Sequence, residues 1–340
     1  MNGLIEVSDP GLGNSLQDLG RFGYRHMGIA VSGCVDPLLA RCANALAGNP
    51  AECACIEVRG AGPVLTARQG RVRAALAGNV SATWVRSGGD ERDVPPWQSV
   101  SLDPGDELRV GFVSGGAAYV AISGGFATPL QLGSRSVYRR AEIGDPITLG
   151  MRISCAALPH RGGYEYSADP WRHDDGPVRV MLGPQDDHFK PEAVADLLGG
   201  EYKVTGQSDR MGMRLEGPAL AHLTSASADI VSDGTVPGAI QVPGNGQPII
   251  LLADCQTAGG YPKIATVISA DLPRLAQEKP GQAIRFQAVD VRQARQALQA
   301  LETRWKWWAY GIVHGVPGAE INKDWRAGWP LFEEAWCQGE

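Results

Sequence analysis

The sequence contains none of the paired cysteines or histidines from which disulfide frameworks and metal sites are built. Its seven cysteines stand at residues 34, 42, 53, 55, 155, 255 and 337, an odd number without a C-x-x-C pair. Cys53 and Cys55 are too close in sequence for a disulfide or a zinc knuckle. The six histidines are scattered. We therefore expect small, buried, reduced thiols and no metal.

Several catalytic and carrier motifs are also missing. No G-x-x-x-x-G-K-[ST] is present, which excludes a P-loop. The run AISGG at 121–125 comes near the G-x-S-x-G nucleophile motif, but no helix pattern follows it. Without a Met-Lys-Met, the chain does not resemble a biotin carrier.

The chain has no long apolar run and no excess of positive charge. Its most apolar segment, 249–253, is far shorter than the roughly 20 residues of a membrane span, and no signal peptide is visible at the N-terminus. The net charge of −6 argues against a nucleic-acid partner and against attraction to an anionic membrane. We expect a cytoplasmic protein.

Glycine and proline, by contrast, are frequent, with 44 and 23 residues. They separate short runs of Val, Ile, Leu and Ala, which predicts a mainly β chain of barrels or sandwiches with few helices. Three helices are predicted, over 37–48, 191–198 and 291 to about 307. The first has Asp36 as N-cap, Pro37 in its first turn and Gly48 at its end.

The polar segment from 160 to 176 shows no strand or helix pattern and predicts a linker. The resulting division is an N-terminal β domain (1–160), a linker (161–176), a C-terminal β domain (177–290), and a helix with a Trp-rich tail (291–340). The tail holds most of the nine tryptophans. It could pack over its own barrel or grip a second polypeptide.

The candidate site lies in 208–271, where polar residues crowd the ends of short apolar runs, as in ligand sites built on strand ends. Arg210 and Arg214 offer planar cationic forks for a carboxylate or phosphate, or pair with Asp209, Glu216 or Asp233. Further candidates in this stretch, judged by their amide, hydroxyl, charged and backbone groups, are Gln241, Asn245, Asp254, Gln256, Thr257, Gly259, Gly260, Tyr261 and Lys263.

Some of these candidates also have a purely structural interpretation. Asn245 precedes Gly246, and Asn-Gly is a tight-turn pair. Gly259 and Gly260 could aim backbone N–H groups at an oxyanion, with Lys263 supplying charge and Tyr261 a hydroxyl. Asp254 could be a base or could satisfy loop amides. In the N-terminal half, Arg21 between two glycines is a further ligand candidate, and 183–186 is a turn or the edge of a site.

Long ordered motifs in this stretch carry a family resemblance. SDRMG-x-RLEGP, GAIQVPGNGQPI and AD-x-QT-x-GGYPKIATVISADLPRLAQ, with GPQDDHF and the opening run from QDLGRFGYRHMG, resemble the carboxyltransferase family that contains the C subunit of 5-oxoprolinase, KipA and allophanate hydrolase subunit 2. The stretch is also similar to the second half of the urea carboxylase carboxyltransferase domain.

The resemblance implies two cyclophilin-like β-barrels and a role as the C subunit of an ATP-dependent 5-oxoprolinase. There it would act on a small amide or lactam, together with the A and KipI-like B subunits. One alternative is the carboxyltransferase component of a biotin-dependent urea or amide carboxylase, using carboxybiotin on a separate carrier. Another is a non-enzymatic KipA-like regulator that binds a KipI-like protein.

In an amide-processing site, the candidates divide by role. The catalytic candidates are Arg210, Lys263, Asp254 and Tyr261. The substrate-binding candidates are Arg214, Gln241, Asn245, Gln256, Thr257, Gly259, Gly260 and Arg21. Two departures from the family pattern stand out: the loop over 137–145, after Ser136, is short, and the tail is rich in Trp.

Overall fold

In a computed structural model, which describes residues 2–158 and 165–314, most of the regular structure is β-strand. The α-helices are α1 (Pro37–Ala47), α2 (Pro191–Gly199), α3 (Leu272–Leu275) and α4 (Val291–His314). The strands of residues 2–156 are β1 (Asn2–Asp9), β2 (Ser15–Gln17), β3 (Cys55–Val58), β4 (Val64–Gln69), β5 (Val72–Ala77), β6 (Ala82–Val85), β7 (Glu91–Val94), β8 (Ser99–Leu102), β9 (Glu107–Val110), β10 (Ala118–Ile122) and β11 (Arg152–Ala156).

The strands that follow lie between residues 178 and 288. They are β12 (Val178–Leu182), β13 (Tyr202–Val204), β14 (Gly212–Glu216), β15 (Asp233–Gly234), β16 (Ala239–Gln241), β17 (Ile249–Leu251), β18 (Ala258–Gly259), β19 (Lys263–Val267), β20 (Ala283–Ile284) and β21 (Phe286–Ala288). Short 3₁₀ turns at Arg25–Met27, Arg139–Ala141, Asp186–His188 and Ser225–Ala228 complete the described elements.

The N-terminal strands form two antiparallel sheets that pack face to face. Their orders are β11-β1-β4-β9-β6-β7 and β2-β3-β10-β5-β8. One core cluster takes side chains from both sheets, with Ile5 and Val7 from the first and Leu76 and Val120 from the second. Alternate residues of each strand therefore point into a shared core, as in a sandwich.

Helix α1 covers the outer face of the second sheet. Asp36 Oδ1 accepts hydrogen bonds from the Leu38 and Leu39 backbone N–H groups at 3.1 Å, and Gly48 ends the helix in the left-handed region at φ 77°. A carboxylate N-cap and a terminal glycine are the usual ends of such a helix. Asp36 Oδ2 also joins distant segments, bonding His173 Nε2 and Gln277 Nε2, both at 2.9 Å.

The C-terminal strands form an eight-stranded, nearly closed sheet in the order β20-β13-β14-β17-β16-β19-β12-β21. All neighbours are antiparallel except β12 and β21. Ile240 and Ile250 point to one face, where α2 adds Ala193 and Leu197 to the core. The opposite face carries Gln241 and Lys263 and becomes the candidate site.

The predicted mainly β fold class is confirmed, and so are the three predicted helices. Helix α4 extends to His314, beyond the predicted end, and the short helix α3 was not predicted. Within 165–176, Ser167 forms an isolated bridge with Gln98. The four-part division stays a prediction, and the tail beyond 314 lies outside the described residues. Within the described residues, no helix is long and apolar enough to cross a membrane.

Candidate functional site

A row of predicted residues crosses the face of the eight-stranded sheet that is turned away from its core. Arg214 pairs with Ile249, Ile249 with Gln241, and Gln241 with Lys263. Residues directly opposite each other on antiparallel strands project from the same face. Gln241 and Lys263 are buried, at 2% and 3% exposure, whereas Arg214 is exposed. Only one end of the row is therefore part of an enclosed site.

The two-stranded sheet β15–β18 covers that end and forms a polar cluster with it. We define this cluster as Gln185, Asp233, Gln241, Gln256 and Lys263. Lys263 Nζ lies 2.9 Å from Asp233 Oδ2, and Gln185 Nε2 donates to the same oxygen at 3.1 Å. Gln256 Nε2 donates to Gln241 Oε1 at 3.0 Å. Three amides, one ammonium and one carboxylate thus share a small space.

Lys263 stabilises the ionised form of Asp233. Its hydrogen bond is the main cause that lowers the pKa of the Asp233 carboxyl below its ordinary value, followed by the Gly234 backbone N–H and Gln185. The Asp233 side chain is 54% exposed, while that of Lys263 is 4% exposed. The buried cation therefore has an exposed partner, which a ligand arriving from solvent could displace.

The close approach of the Gln241 side chain favours glycine at position 259. A Cβ at Gly259 would lie 2.6 Å from Gln241 Nε2, closer than side chains allow. Gly259 pairs with Asp233 across β18 and β15, and the Gly260 carbonyl accepts from Ile230 N–H. Close packing against Gln241 thus accounts for Gly259, whereas a Cβ at Gly260 would meet only ordinary contacts, the nearest at 3.5 Å from the Ile230 carbonyl oxygen. The predicted role of the N–H groups of both glycines in an oxyanion cradle stays a prediction.

The remaining predicted residues of the C-terminal half occupy the edge of the cluster or lie away from it. Tyr261 is 41% exposed, and its carbonyl accepts from Gln241 Nε2 at 3.3 Å. The Thr257 carbonyl accepts from Thr235 N–H at 3.0 Å. Asn245 is exposed in the turn between β16 and β17, where its Oδ1 accepts from Gln247 N–H. Its structural interpretation as a turn residue accounts for this contact.

Arg210 lies in a second group of residues, the junction network, defined as Ser32, Glu57, Tyr119, Arg210 and Asp254. Arg210 donates to Glu57 Oε1 at 2.6 Å, to Asp254 Oδ2 and Oδ1 at 2.8 and 2.9 Å, and to the Gly33 carbonyl at 2.7 Å. The expected partners Asp209, Glu216 and Asp233 are not those found. Every nitrogen of the guanidinium is engaged internally, so it retains little capacity for a ligand.

The junction network joins the two halves of the chain through buried charge. Burial alone would raise the pKa of Glu57, but Arg210 and Arg59 hold it below its ordinary value. Burial alone would lower the pKa of Arg210, but Glu57 and Asp254 raise it above its ordinary value. Both groups are therefore ionised near neutral pH, and each compensates the other.

Asp254 and its neighbours complete this network. Asp254 accepts from the hydroxyl of Ser32, a buried residue whose backbone is left-handed at φ 57°. Glu57 Oε2 accepts from the Tyr119 hydroxyl at 2.8 Å. Burial, followed by the charge of Glu57, raises the pKa of Tyr119 well above its usual value, so the phenol remains a donor.

Arg21 is fully buried and holds the short loop that follows strand β10. It donates to the Gln131 carbonyl at 3.0 Å and to the Ser136 carbonyl at 2.8 Å. Burial lowers its pKa, against the charges of Asp18 and Asp254. The Ser134 and Ser136 hydroxyls both donate to Asp18 Oδ1 at 2.6 Å. Arg21 thus holds this loop in the structure, and its predicted ligand contact stays a prediction.

Sequence reasoning missed Arg25, which links the N-terminal half to the polar cluster. It donates to the Thr235 carbonyl at 2.6 Å and to the Gln256 carbonyl at 3.2 Å. It also missed Glu57 as the partner of Arg210. The sequence offered one indication of Glu57: it is the only charged residue in the buried strand CIEV, and a buried charge needs a partner.

A separate cleft of about 490 Å³ lies beside α1. Its walls include Trp97, Trp171, His173 and Gln277, and none of the predicted site residues lines it. It takes no part in the candidate site.

Comparison with known proteins places these features in context. The family model "Carboxyltransferase domain, subdomain A and B" matches residues 27–288. The chain is 33% identical to the C subunit of 5-oxoprolinase from Haemophilus influenzae over 300 residues, which covers 86% of this chain and 93% of that protein.

Two solved structures share the fold. TTHA0988 is 35% identical with a TM-score of 0.72, and the match covers 84% of this chain and 56% of that chain. The K. lactis urea amidolyase is 28% identical with a TM-score of 0.78, covering 89% of this chain and 20% of that chain. This chain thus spans just over half of the first protein and a fifth of the second. From its sequence and its fold, the chain belongs to the carboxyltransferase domain family, subdomains A and B.

Proposed function

We propose that this chain is the C subunit of an ATP-dependent 5-oxoprolinase, which opens the cyclic amide 5-oxoproline to L-glutamate. The observation that carries this proposal is the extent of the match with the H. influenzae protein, which covers nearly the whole of both chains. The A and KipI-like B subunits are the proposed partners, and together they would form a hetero-oligomer. We place this complex in the cytoplasm, where ATP is available.

The composition of the polar cluster supports an amide substrate. A lactam presents one N–H donor and one carbonyl acceptor side by side. Gln241 and Gln256 each carry both kinds of group and already bond each other at 3.0 Å. Such a pair can exchange its mutual hydrogen bond for contacts with both ends of an amide, with little loss of hydrogen bonding.

Lys263 supplies the charge that amide opening requires. Negative charge develops on the amide oxygen as the carbonyl carbon is attacked, and a positioned cation stabilises it. Lys263 is the buried cation of the cluster. Tyr261, at the exposed edge, is the proposed proton-transfer residue, because the carboxylate of Asp254 is already occupied by Arg210 and Ser32.

The polar cluster does not fit ATP itself. Its one ammonium group and three amides match an amide, whereas a triphosphate calls for several cations or a loop of backbone N–H groups. ATP supplies the activation that drives the opening of a stable amide. We therefore assign nucleotide contacts to the partner proteins and derive no step through ATP in this chain.

Arg210 acts, in this proposal, as a positioning residue. Its guanidinium bridges Glu57 of the N-terminal half and Asp254, two residues before Gln256. Removing it would shift the segment that carries Gln256 rather than remove a contact with substrate.

The test uses 5-oxoproline-dependent ATP hydrolysis and glutamate release by this chain with its purified A and B subunits. We expect activity only in the complete mixture. Replacing Lys263 by Met should reduce kcat by about 100- to 1,000-fold, the usual loss of one oxyanion-stabilising group. Lys279→Met, at an exposed lysine, is the matched control and should retain full activity. Associated subunits without any 5-oxoproline-dependent turnover would refute the proposal.

The second candidate is the carboxyltransferase component of a biotin-dependent urea or amide carboxylase. The observation that favours it is the likeness to K. lactis urea amidolyase at a TM-score of 0.78. It requires carboxybiotin on a separate carrier and predicts transfer of the carboxyl group to urea. The third candidate is the non-enzymatic KipA-like role. It is supported if the chain binds a KipI-like protein, shows neither activity, and keeps the same affinity for that protein in Lys263→Met.

A further inference from the structure

The cleft beside α1 has the size and the lining of a small-molecule site. Its volume of about 490 Å³ falls within the range of roughly 300–1,000 Å³ that such sites occupy. Its apolar walls are formed by Leu39, Pro96, Trp97, Pro170 and Trp171, which come from three separate segments of the chain. These walls are mostly aromatic or cyclic, which favours a planar ligand that contains a ring.

Helix α4 holds the two tryptophans of the cleft in place. Trp308 packs edge-on against both rings, with centroid distances of 6.0 Å to Trp97 and 6.4 Å to Trp171. The guanidinium carbon of Arg304 lies 4.3 Å from the centre of the Trp171 ring, and Arg304 is itself bonded to Asp174 at 2.6 Å. Because the walls are already ordered, a ligand would bind without the cost of ordering them.

The backbone of Trp97 is strained. Its φ is 64°, in the left-handed region that bulky residues rarely adopt. Hydrogen bonds on both sides hold this conformation: the Trp97 N–H donates to the Leu76 carbonyl at 3.1 Å, and its carbonyl accepts from the Ala168 N–H at 3.0 Å. Strained residues are concentrated at binding and active sites. The strain is therefore a second indication of a ligand site, beside the volume and lining of the cleft.

The polar part of the cleft includes an oriented histidine. His173 Nε2 lies 2.9 Å from Oδ2 of Asp36, a fully buried residue whose carboxylate also accepts from Gln277 and from the first turn of α1. Because a carboxylate can only accept, Nε2 carries the hydrogen, and Nδ1 of the neutral ring is then an acceptor. No residue in the described part of the chain donates to Nδ1. His173 thus offers the cleft one unused acceptor.

We propose that the cleft beside α1 is a binding site for a small, planar aromatic molecule that carries an N–H or O–H donor. Its ring lies against Trp97 and Trp171, and its donor bonds to His173 Nδ1. Among the described residues that line the cleft, none is Asp, Glu, Lys or Arg, so a neutral ligand is favoured. The lining includes no residue of the polar cluster or the junction network, and the inference therefore does not depend on the proposed function.

Calorimetric titration of the full chain with indole tests the site. The matched probe is 1-methylindole, which has the same ring system but no N–H. We expect indole to bind the wild type about fivefold more tightly, as one hydrogen bond predicts. His173→Phe keeps a planar ring and removes Nδ1, so the difference between the two probes should disappear. His26→Phe, at an exposed histidine that does not line the cleft, is the control and should retain the difference.

A crystal structure of the wild-type chain with indole gives a second test, which does not require a variant to fold. We expect the ring against Trp97 and Trp171, with its nitrogen within hydrogen-bond distance of His173 Nδ1. The proposal is overturned if neither probe shows saturable binding below about 10 mM. Equal Kd values of the two probes for the wild type, a preference for indole that persists in His173→Phe, or indole bound elsewhere on the chain would also overturn it.

Discussion

At the scale of single residues, Arg210 shows how burial decides what an arginine does. Its guanidinium donates to two carboxylates and a backbone carbonyl, and its side chain is only 16% exposed. A buried charge is tolerated when its partners surround it, and loss of one member leaves the others uncompensated. Arg210 therefore contributes through the order that it imposes on Glu57 and Asp254.

We expect Arg210→Met to reduce the free energy of unfolding by about 3–5 kcal/mol, since it leaves two buried carboxylates without their cation. Arg109→Met is the matched control. Arg109 is 49% exposed and pairs with Glu91 and Glu107, so its loss should cost less than about 1 kcal/mol. Urea denaturation followed by tryptophan fluorescence measures both. Equal losses for the two variants would contradict a stabilising role for the junction network.

At the scale of elements, α4 depends on α1 for its position. Arg41 binds Glu302 through both oxygens, at 2.7 and 2.8 Å, and its guanidinium lies 3.7 Å from the centre of the Trp305 ring. Trp305 is buried together with residues of α1 and of the second sheet. We expect the aromatic side chain to contribute more than the ion pair to holding the C-terminal helix on the N-terminal half, because the ring is buried and Glu302 is 40% exposed.

Trp305→Ala should therefore cost about 3–5 kcal/mol of unfolding free energy, as expected for deletion of a buried aromatic ring. Glu302→Gln should cost less than about 1 kcal/mol, because the Glu302 side chain is 40% exposed. Urea denaturation of the two variants and of the wild type measures these losses of unfolding free energy. A larger loss for Glu302→Gln would show that the ion pair dominates.

The helices were predictable because their signals are local. Asp36, Pro37 and Gly48 mark the two ends of α1, and Pro191 begins α2 in the same way.

The hydrogen-bond partners of the site residues were not predictable from one sequence. Arg210 meets Glu57, which lies 153 positions earlier in the chain, and no periodic pattern connects them. Strand ends concentrate polar groups, and this signal singled out Gln241 and Lys263, whose role in a site stays a prediction. The structure buries both of them, while Arg214, four residues after Arg210, is exposed.

At the scale of the whole molecule, buried charge links the two halves. Glu57 comes from the N-terminal half, while Arg210 and Asp254 come from the C-terminal half, and Arg25 makes a parallel connection to Thr235. The halves are therefore expected to unfold together as long as the network is ionised. Protonation of its carboxylates should weaken this coupling.

Stability should consequently fall in acid. The pKa of Glu57 in the folded chain lies below its ordinary value of 4.5, so its ionisation favours folding above about pH 4.5. That contribution is lost as the pH falls through the lower, folded-state pKa. Thermal midpoints measured from pH 7 to pH 3 should drop less steeply in Glu57→Gln than in wild type. The exposed Glu216→Gln should follow wild type, and an unaltered slope in Glu57→Gln would refute the assignment.

The contacts of Asp36 also bear on the order in which parts of the chain can fold during synthesis. The cap of α1 is set by neighbouring residues as soon as they leave the ribosome, but the bond of Asp36 Oδ2 requires Gln277, which emerges 241 residues later. Helix α4, which covers the outer face of α1, follows later still. A nascent N-terminal half is therefore expected to expose the apolar residues of α1 that contact α4 until the last part of the chain has been made.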